Sequence, residues 1–286
     1  MYRYLTLIRI NNLVIIALTQ FMAGYFLLPD GGGELVKSTP FLLLVTSTMM
    51  IAAAGYIIND YMDVKIDLVN KPQKVVVGRD ISRRWAMIWH AGLNIGGVLI
   101  GASLSLKIGL IDLVCAGLLI LYSMSLKKGF LAGNLVVALL SASVIILVWM
   151  LEPEMTEKYI WVYAGFAFFM SLIREIVKDM EDIRGDVRNG CRTMPIVLGI
   201  RKTKRVVTGL LIAFAVILSL CSFVVSAELG SPILFLIYVF VFILLPLGIM
   251  FLMLYKADKK IDFKRISTLS KVIMLLGIAS MVFSLW

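Results

Sequence analysis

The chain has 286 residues, 60% hydrophobic and only 16% charged, with 28 Lys and Arg against 18 Asp and Glu. A soluble protein of this size needs far more charge at its surface, so composition excludes a water-soluble globular domain. The net charge of +10 then belongs to membrane topology rather than to nucleic-acid binding.

Apolar runs close to twenty residues recur from end to end, enough to cross a hydrocarbon layer about 30 Å thick. They predict nine helices, at roughly 10–28, 39–58, 84–104, 107–125, 130–150, 158–176, 205–227, 233–255 and 268–285. The expectation is an all-α polytopic membrane bundle, with residues 1–286 forming a single domain. Met1 to Arg9 carries two arginines ahead of an apolar stretch that has no small-residue cleavage site, and is read as leading into the first span. With the N-terminus cytoplasmic, every Lys and Arg except Lys37, Lys107 and Lys158 falls on an inner segment. The outer turns are short and acidic or neutral, as at 29–34, 152–154 and 228–230.

Two acidic patterns of identical spacing follow the second and sixth predicted spans. They are Asn59-Asp60-x-x-Asp63-x-x-x-Asp67 and Asp179-x-x-Asp182-x-x-x-Asp186. Steps of three and four keep the carboxylates of a triplet on one helix face. Such groups repel one another and require a cation. Magnesium prefers oxygen ligands and bridges carboxylates to phosphates, so the six aspartates are the candidate metal ligands and catalytic residues. Positive-inside topology accounts for basic inner loops but does not require acidic residues there. The separation of 119 residues from Asp60 to Asp179 hints at an internal duplication.

Basic residues beside the triplets are suited to neutralising phosphate: Lys71, Lys74 and Arg79 after the first, and Arg174, Lys178, Arg188 and Arg192 around the second. Lys127 and Lys128 end the fourth predicted span. Such a site assists loss of a diphosphate by stabilising charge on the leaving oxygen. Plainer roles stand beside these. Asp67 and Asp186 also suit a cap or an arginine partner, and Lys127 a snorkelling inner-face position. The basic runs 201–205 and 256–265 need nothing beyond topology. Asn59 orients its neighbours or contacts phosphate rather than metal. Tyr56, Tyr61 and Tyr122 line the mouth or anchor the interface. His90 is expected to be structural, no general base is assigned, and Phe166, Phe168 and Phe169 are expected to pack. The three cysteines have no paired spacing, so neither a disulfide framework nor a Cys/His metal site is expected.

These motifs resemble the UbiA superfamily of intramembrane prenyltransferases along nearly the whole chain. The first motif stands at Asn59 to Asp67, followed by Asn70-Lys71-Pro72 and Gly78-Arg79. A Y-S-x-x-L-K signature stands at Tyr122 to Lys127, and the second motif at Lys178 to Asp186, followed by Gly190-Cys191-Arg192-Thr193-Met194-Pro195. Arg9 and Asn12 occupy an R-P-x-N position in which Ile10 replaces the proline, and Gln73 to Val77 replaces a proline-rich loop. The resemblance implies nine helices around a central cavity with cytoplasmic cap segments. It also implies Mg2+ held by both aspartate motifs, with the diphosphate of an isoprenoid donor. Asn12, Asn59, Arg79, Tyr122, Lys127, Lys178 and Arg192 are the expected substrate contacts.

The run ending Pro195-Ile196-Val197-Leu198-Gly199 is most similar to digeranylgeranylglyceryl phosphate synthases. That implies transfer from geranylgeranyl diphosphate to geranylgeranylglyceryl phosphate. The alternatives are an aromatic acceptor of the 4-hydroxybenzoate or homogentisate type, and, from other classes, a membrane transporter or a lipid-binding scaffold. The expected partners are membrane lipid, a polyprenyl diphosphate and an acceptor, without nucleic acid. The expected location is the cell membrane, with the site facing the cytoplasm. Donor chain length, the acceptor, the general base, oligomeric state and host pathway stay open at this point.

Overall fold

The structure is a computed structural model that describes residues 2–28, 31–70, 72–227, 229 and 232–285. Its elements are helices: α1 (Tyr2–Leu7), α2 (Ile10–Phe26), α3 (Thr39–Asn70), α4 (Arg83–Leu104), α5 (Leu106–Met124), α6 (Ala132–Leu151) and α7 (Glu157–Arg188). The short α8 (Met194–Leu198) precedes α9 (Ile200–Ser226), α10 (Pro232–Val239), α11 (Leu245–Lys256) and α12 (Lys260–Ala279). A π-helical turn, Phe240–Leu244, joins α10 to α11 so that the two cross as one segment. Among the described residues, eight helical segments are long and apolar enough to span a membrane. The first predicted span is the 17-residue α2, about 26 Å at 1.5 Å per residue. Eight long spans and one short one thus occupy the nine predicted places.

Local sequence sets the joints. Ser105 alone separates α4 from α5, and its hydroxyl accepts from Ile108 N at 3.1 Å, capping α5. Ser82 caps α4 in the same way through Trp85 N. Gly199, at φ 78°, turns the chain from α8 into α9 in a conformation that a side chain would strain.

Beside two smaller clusters, two large apolar cores hold the bundle. One joins α7, α9, α11 and α12 through Ile173, Ile176, Leu211, Met250 and Phe263; the other joins α2, α3, α6 and α7 through Ala23, Phe41, Leu44, Ile145 and Ile160. Leu106, Phe223 and Ile233 remain more than 70% exposed, as expected of side chains whose solvent is lipid. Phe166 and Phe169 stack around Phe214 in the first core, which is a packing role. His90 is buried and hydrogen-bonded through Nδ1 to Ala54 O at 2.9 Å, a structural role.

The largest departures from the hydropathy reading lie at inner helix ends. Predicted spans end at 58 and 176, whereas α3 continues to Asn70 and α7 to Arg188. Each has 32 residues, about 48 Å, and so outruns the hydrocarbon layer. α9 and α12 likewise begin earlier than predicted, at Ile200 and Lys260. Hydropathy marks where lipid ends, and a helix need not stop at that point. Both aspartate patterns therefore stand on helices that emerge from the bundle.

Candidate active site

α3 and α7 pack directly against each other, and the spacing of three and four turns each triplet along one face. Tyr122, at the end of α5, lies within electrostatic reach of Asp63 from the first triplet and Asp179 from the second, and of Glu175 and Arg9. Beyond it, Cys191 is within reach of Asp186 and Asp63 and of Lys127 and Lys128. The two patterns thus share one end of the bundle, with Tyr122 and Cys191 each within reach of members of both.

Basic side chains meet the carboxylates there. Lys127 Nζ lies 2.6 Å from Asp63 Oδ1 and donates to Asn59 Oδ1 at 3.2 Å. The lysine side chain is only 10% exposed, so it does not snorkel. Arg9 Nη2 donates to Asp60 Oδ1 at 2.6 Å, and its guanidinium stands over the Tyr56 ring. Arg9 is the left-handed junction between α1 and α2, at φ 51°, a strained conformation for a non-glycine residue. Burial works against its charge, but Asp60 more than offsets this, so its pKa is raised above the ordinary value. Lys260, at the start of α12, approaches Asp182 at 3.9 Å. One member of the basic run assigned to topology alone therefore reaches the second triplet.

The second triplet has a neutral partner as well: Asn134, in the first turn of α6, donates to Asp179 Oδ2 at 2.8 Å. Asp67 and Asp186 are half-buried. Asp186 anchors the following loop through its carbonyl, which accepts from Cys191 N at 2.9 Å. Burial first, then Asp186, push the Cys191 thiol up. Arg192 donates its backbone N–H to Lys128 O at 2.7 Å, tying the loop after α7 to the loop after α5, while its side chain is exposed.

Other expected residues stand further out. Arg79 is exposed on the loop after α3, and no ion pair joins it to a triplet among the described residues. Lys71 lies outside the described residues, as does the Lys74 side chain. In that loop Val75, Val76 and Val77 are buried, and the last two pack with Leu7, Ile57 and Ile81. Tyr61 stacks under Arg83.

Three residues that the sequence did not single out join the site. Asn134 is one. Glu175, one turn before Asp179, is buried and binds Arg174 at 2.7 Å and Lys178 at 2.7 and 3.0 Å. Lys271, in the interior of α12, donates to Asn12 Oδ1 at 3.3 Å. A lysine inside an apolar helix is itself a signal, but the predicted start of that span at 268 placed it in the first turn.

The carboxylates are hard oxygen donors of the type that suits Mg2+. Among the described residues, no three acidic, His or Cys side chains converge on one metal position. Asp60 and Asp63 instead hold cations that a divalent ion would replace. The donor chemistry fits such an ion.

A helical membrane bundle with two carboxylate arrays and a ring of cations at one end defines a class of membrane enzyme acting on a phosphorylated, lipid-borne substrate. The model of the UbiA prenyltransferase family matches residues 17–272, and the chain belongs to that family. A digeranylgeranylglyceryl phosphate synthase of Sulfolobus acidocaldarius is 35% identical over 221 residues, covering 73% of this chain and 75% of its own. One of Saccharolobus solfataricus is also 35% identical, covering 77% of each. Among solved structures, a digeranylgeranylglyceryl phosphate synthase aligns over 99% of this chain and 98% of its own, with a TM-score of 0.74 and 23% identity. A UbiA homolog from Archaeoglobus fulgidus bound to DMAPP and Mg2+ aligns over 98% of this chain and 99% of its own, with a TM-score of 0.66 and 16% identity. These last two establish the fold. The protein is an integral-membrane prenyltransferase of the UbiA family.

Proposed function

We propose that this prenyltransferase, acting as one unit over residues 1–286, moves a geranylgeranyl group from geranylgeranyl diphosphate to geranylgeranylglyceryl phosphate at the cytoplasmic face. The observation that carries the reading is the meeting of Asp63, Asp179 and Tyr122 at one end of the bundle, ringed by basic side chains. Curated relatives that bear the synthase name support the choice of acceptor. The distribution of Lys and Arg supports the orientation.

In this reading Asp60, Asp63, Asp67, Asp179, Asp182 and Asp186 hold Mg2+, which when bound neutralises the diphosphate and stabilises its departure. The chain's own residues do the rest. Lys127 and Asn59 fix Asp63, and Asn134 fixes one oxygen of Asp179, so that the carboxylates are oriented before substrate arrives. Arg9 fixes Asp60. Tyr122, within reach of Asp63 and Asp179, supplies an aromatic ring suited to steadying positive charge on the allylic carbon as the diphosphate departs. The diphosphate leaves with the bonding pair, the alcohol oxygen of the acceptor bonds to that carbon, and its proton passes to the released diphosphate.

The test is incubation of the protein in lipid with Mg2+, labelled geranylgeranyl diphosphate and geranylgeranylglyceryl phosphate. A doubly prenylated product, absent with EDTA or with Asp63→Ala, is expected. Donor consumption only with an aromatic acid would replace the acceptor. No consumption with either would overturn the reading.

A further inference from the structure

Three membrane-spanning segments end in cations that the reaction leaves unused. Arg201, Lys202 and Arg205 stand exposed on the first turns of α9. Lys256 closes α11, and Lys259, Lys264 and Arg265 follow at the start of α12, all exposed. The two runs are far apart in sequence, yet Lys204 joins them. Its Nζ donates to Tyr255 O at 3.1 Å and to Ala257 O at 2.7 Å, and lies 3.7 Å from Asp258.

The result is one basic face. Its only acids are Asp258 and Asp262, and both are turned inward. Asp258 faces Lys204, while Asp262 accepts from the backbone N–H of Asp258 at 3.2 Å and of Lys259 at 3.0 Å. No ion pair joins Arg201, Lys202, Arg205, Lys256 or Lys264 to an acidic side chain among the described residues. Residues 201 to 205 span about 6 Å of helix, less than the Debye length of about 8 Å at physiological ionic strength. Such charges act as one field and gather anions. Positive-inside topology accounts for a basic excess, but it does not require two distant runs to be joined or their acids to be spent on helix ends.

The level of this face in the bilayer identifies the anion. α9 has 27 residues and the α10–α11 segment 25, about 41 and 38 Å at 1.5 Å per residue. That is about the thickness of a bilayer with its headgroups, whereas the 32-residue α3 and α7 outrun it. Tyr255, beside Lys256, is 80% exposed, and Leu252 and Ile261 are exposed near it, a rim suited to the lipid boundary. Cations on long stems at that level meet lipid phosphates. We propose that the inner ends of α9, α11 and α12 form a docking surface for anionic phospholipid headgroups of the adjoining leaflet. Lys260, which approaches Asp182 at 3.9 Å, marks where this surface borders the catalytic end without sharing its carboxylates. The assignment does not depend on the acceptor proposed above.

The test is the relative association of spin-labelled phosphatidylglycerol and phosphatidylcholine with the full chain in phosphatidylcholine nanodiscs, read by EPR. The wild type is expected to prefer phosphatidylglycerol at least about three-fold in low salt. The preference should shrink toward one in about 1 M salt, where the Debye length is about 3 Å. Arg201→Gln, Lys202→Gln and Lys256→Gln together should remove most of it. Lys65→Gln, Arg83→Gln and Arg84→Gln together, an equal loss of exposed charge on α3 and α4, should leave most of it in place. Equal losses in the two triple variants would reduce the effect to net charge and overturn the proposal. So would a wild type without preference, a measurement that needs no variant to fold. Inorganic phosphate that displaces the labelled lipid more than chloride at equal ionic strength would mark a free-anion site and overturn the lipid assignment.

Discussion

Lys127 Nζ and Asp63 Oδ1 stand 2.6 Å apart with their side chains 10% and 14% exposed, and Asn59 closes the triangle at 3.2 Å from the same lysine. The pair bridges the end of α5 to the first aspartate motif on α3. Breaking a buried pair by removing one partner costs about 3–5 kcal/mol, because the other charge is left uncompensated. The exposure that remains lowers this to about 1–3 kcal/mol. Lys127→Met should therefore lower the unfolding temperature measurably and reduce prenyl transfer at least ten-fold. Lys260→Ala is the contrasting case. Its partner Asp182 is 3.9 Å away and the lysine side chain is 45% exposed, a setting worth about 0–1 kcal/mol. Thermal unfolding of the two variants side by side checks the order. Equal losses would mean that the Lys127 pair is no more than a surface contact.

A glycine sets where that lysine stands. A Cβ at Gly133, in the first turn of α6, would lie 2.7 Å from Lys127 Cα and 3.0 Å from Lys127 N and Leu126 O. All three are backbone atoms, so the loop after α5 must shift to admit even a methyl group. Small displacements of positioning groups cost up to about 100-fold in rate. Gly133→Ala is expected to fold and to lose about ten-fold in kcat. Gly165→Ala meets nothing within 4 Å and gains helix propensity of about 0.5–1 kcal/mol, so it should keep its activity and unfold at a slightly higher temperature. Single-turnover rates for the two proteins decide the matter.

The difference between what could and could not be read from sequence follows from the range of each signal. Asp60, Asp63 and Asp67 announce themselves because three and four residues is the period of a helix face, a local property. The pairing of Asp63 with Lys127 was not predicted, since the 63 residues between them carry no pattern that brings the two together. Glu175 was passed over because a single glutamate beside Arg174 reads as an ordinary inner-end charge. Its importance comes from burial between α7 residues and Arg9, which is tertiary. Lys271 was obscured by a boundary error. Residues 260–267 are polar, hydropathy therefore began the last span late, and an interior lysine was taken for a terminal one. Asn134 carries no sequence signal at all, because a lone asparagine at a helix start reads as a cap.

Asn134 gives a test that separates orientation from charge. Its amide donates to Asp179 Oδ2 at 2.8 Å, which holds one carboxylate oxygen and leaves the other for a ligand. Asn134→Leu keeps the size and removes the donor. The expected result is a loss of about ten-fold in kcat, consistent with a hydrogen bond to a charged group worth about 1.5–3 kcal/mol. Asn134→Asp should be worse, because a second carboxylate would face Asp179 across the same distance. Parallel rates for Asn134→Leu and the wild type would show that Asp179 needs no such support.

Metal and diphosphate should bind as a unit, because in the folded chain Asp60 and Asp63 are already occupied by Arg9 and Lys127. Mg2+ alone must compete with those cations, whereas Mg2+ with a diphosphate supplies anionic oxygens that Lys127 can turn to. Ligand binding stabilises the folded state by about 2.7 kcal/mol at 100 times the dissociation constant. Thermal unfolding should therefore rise by several degrees with Mg2+ and geranylgeranyl diphosphate together, and by much less with either alone. EDTA should abolish the rise, and Asp63→Asn should lower it. If Mg2+ alone gave the full effect, the lysine and arginine pairs would be incidental. If diphosphate alone gave it, the aspartates would not be holding a metal.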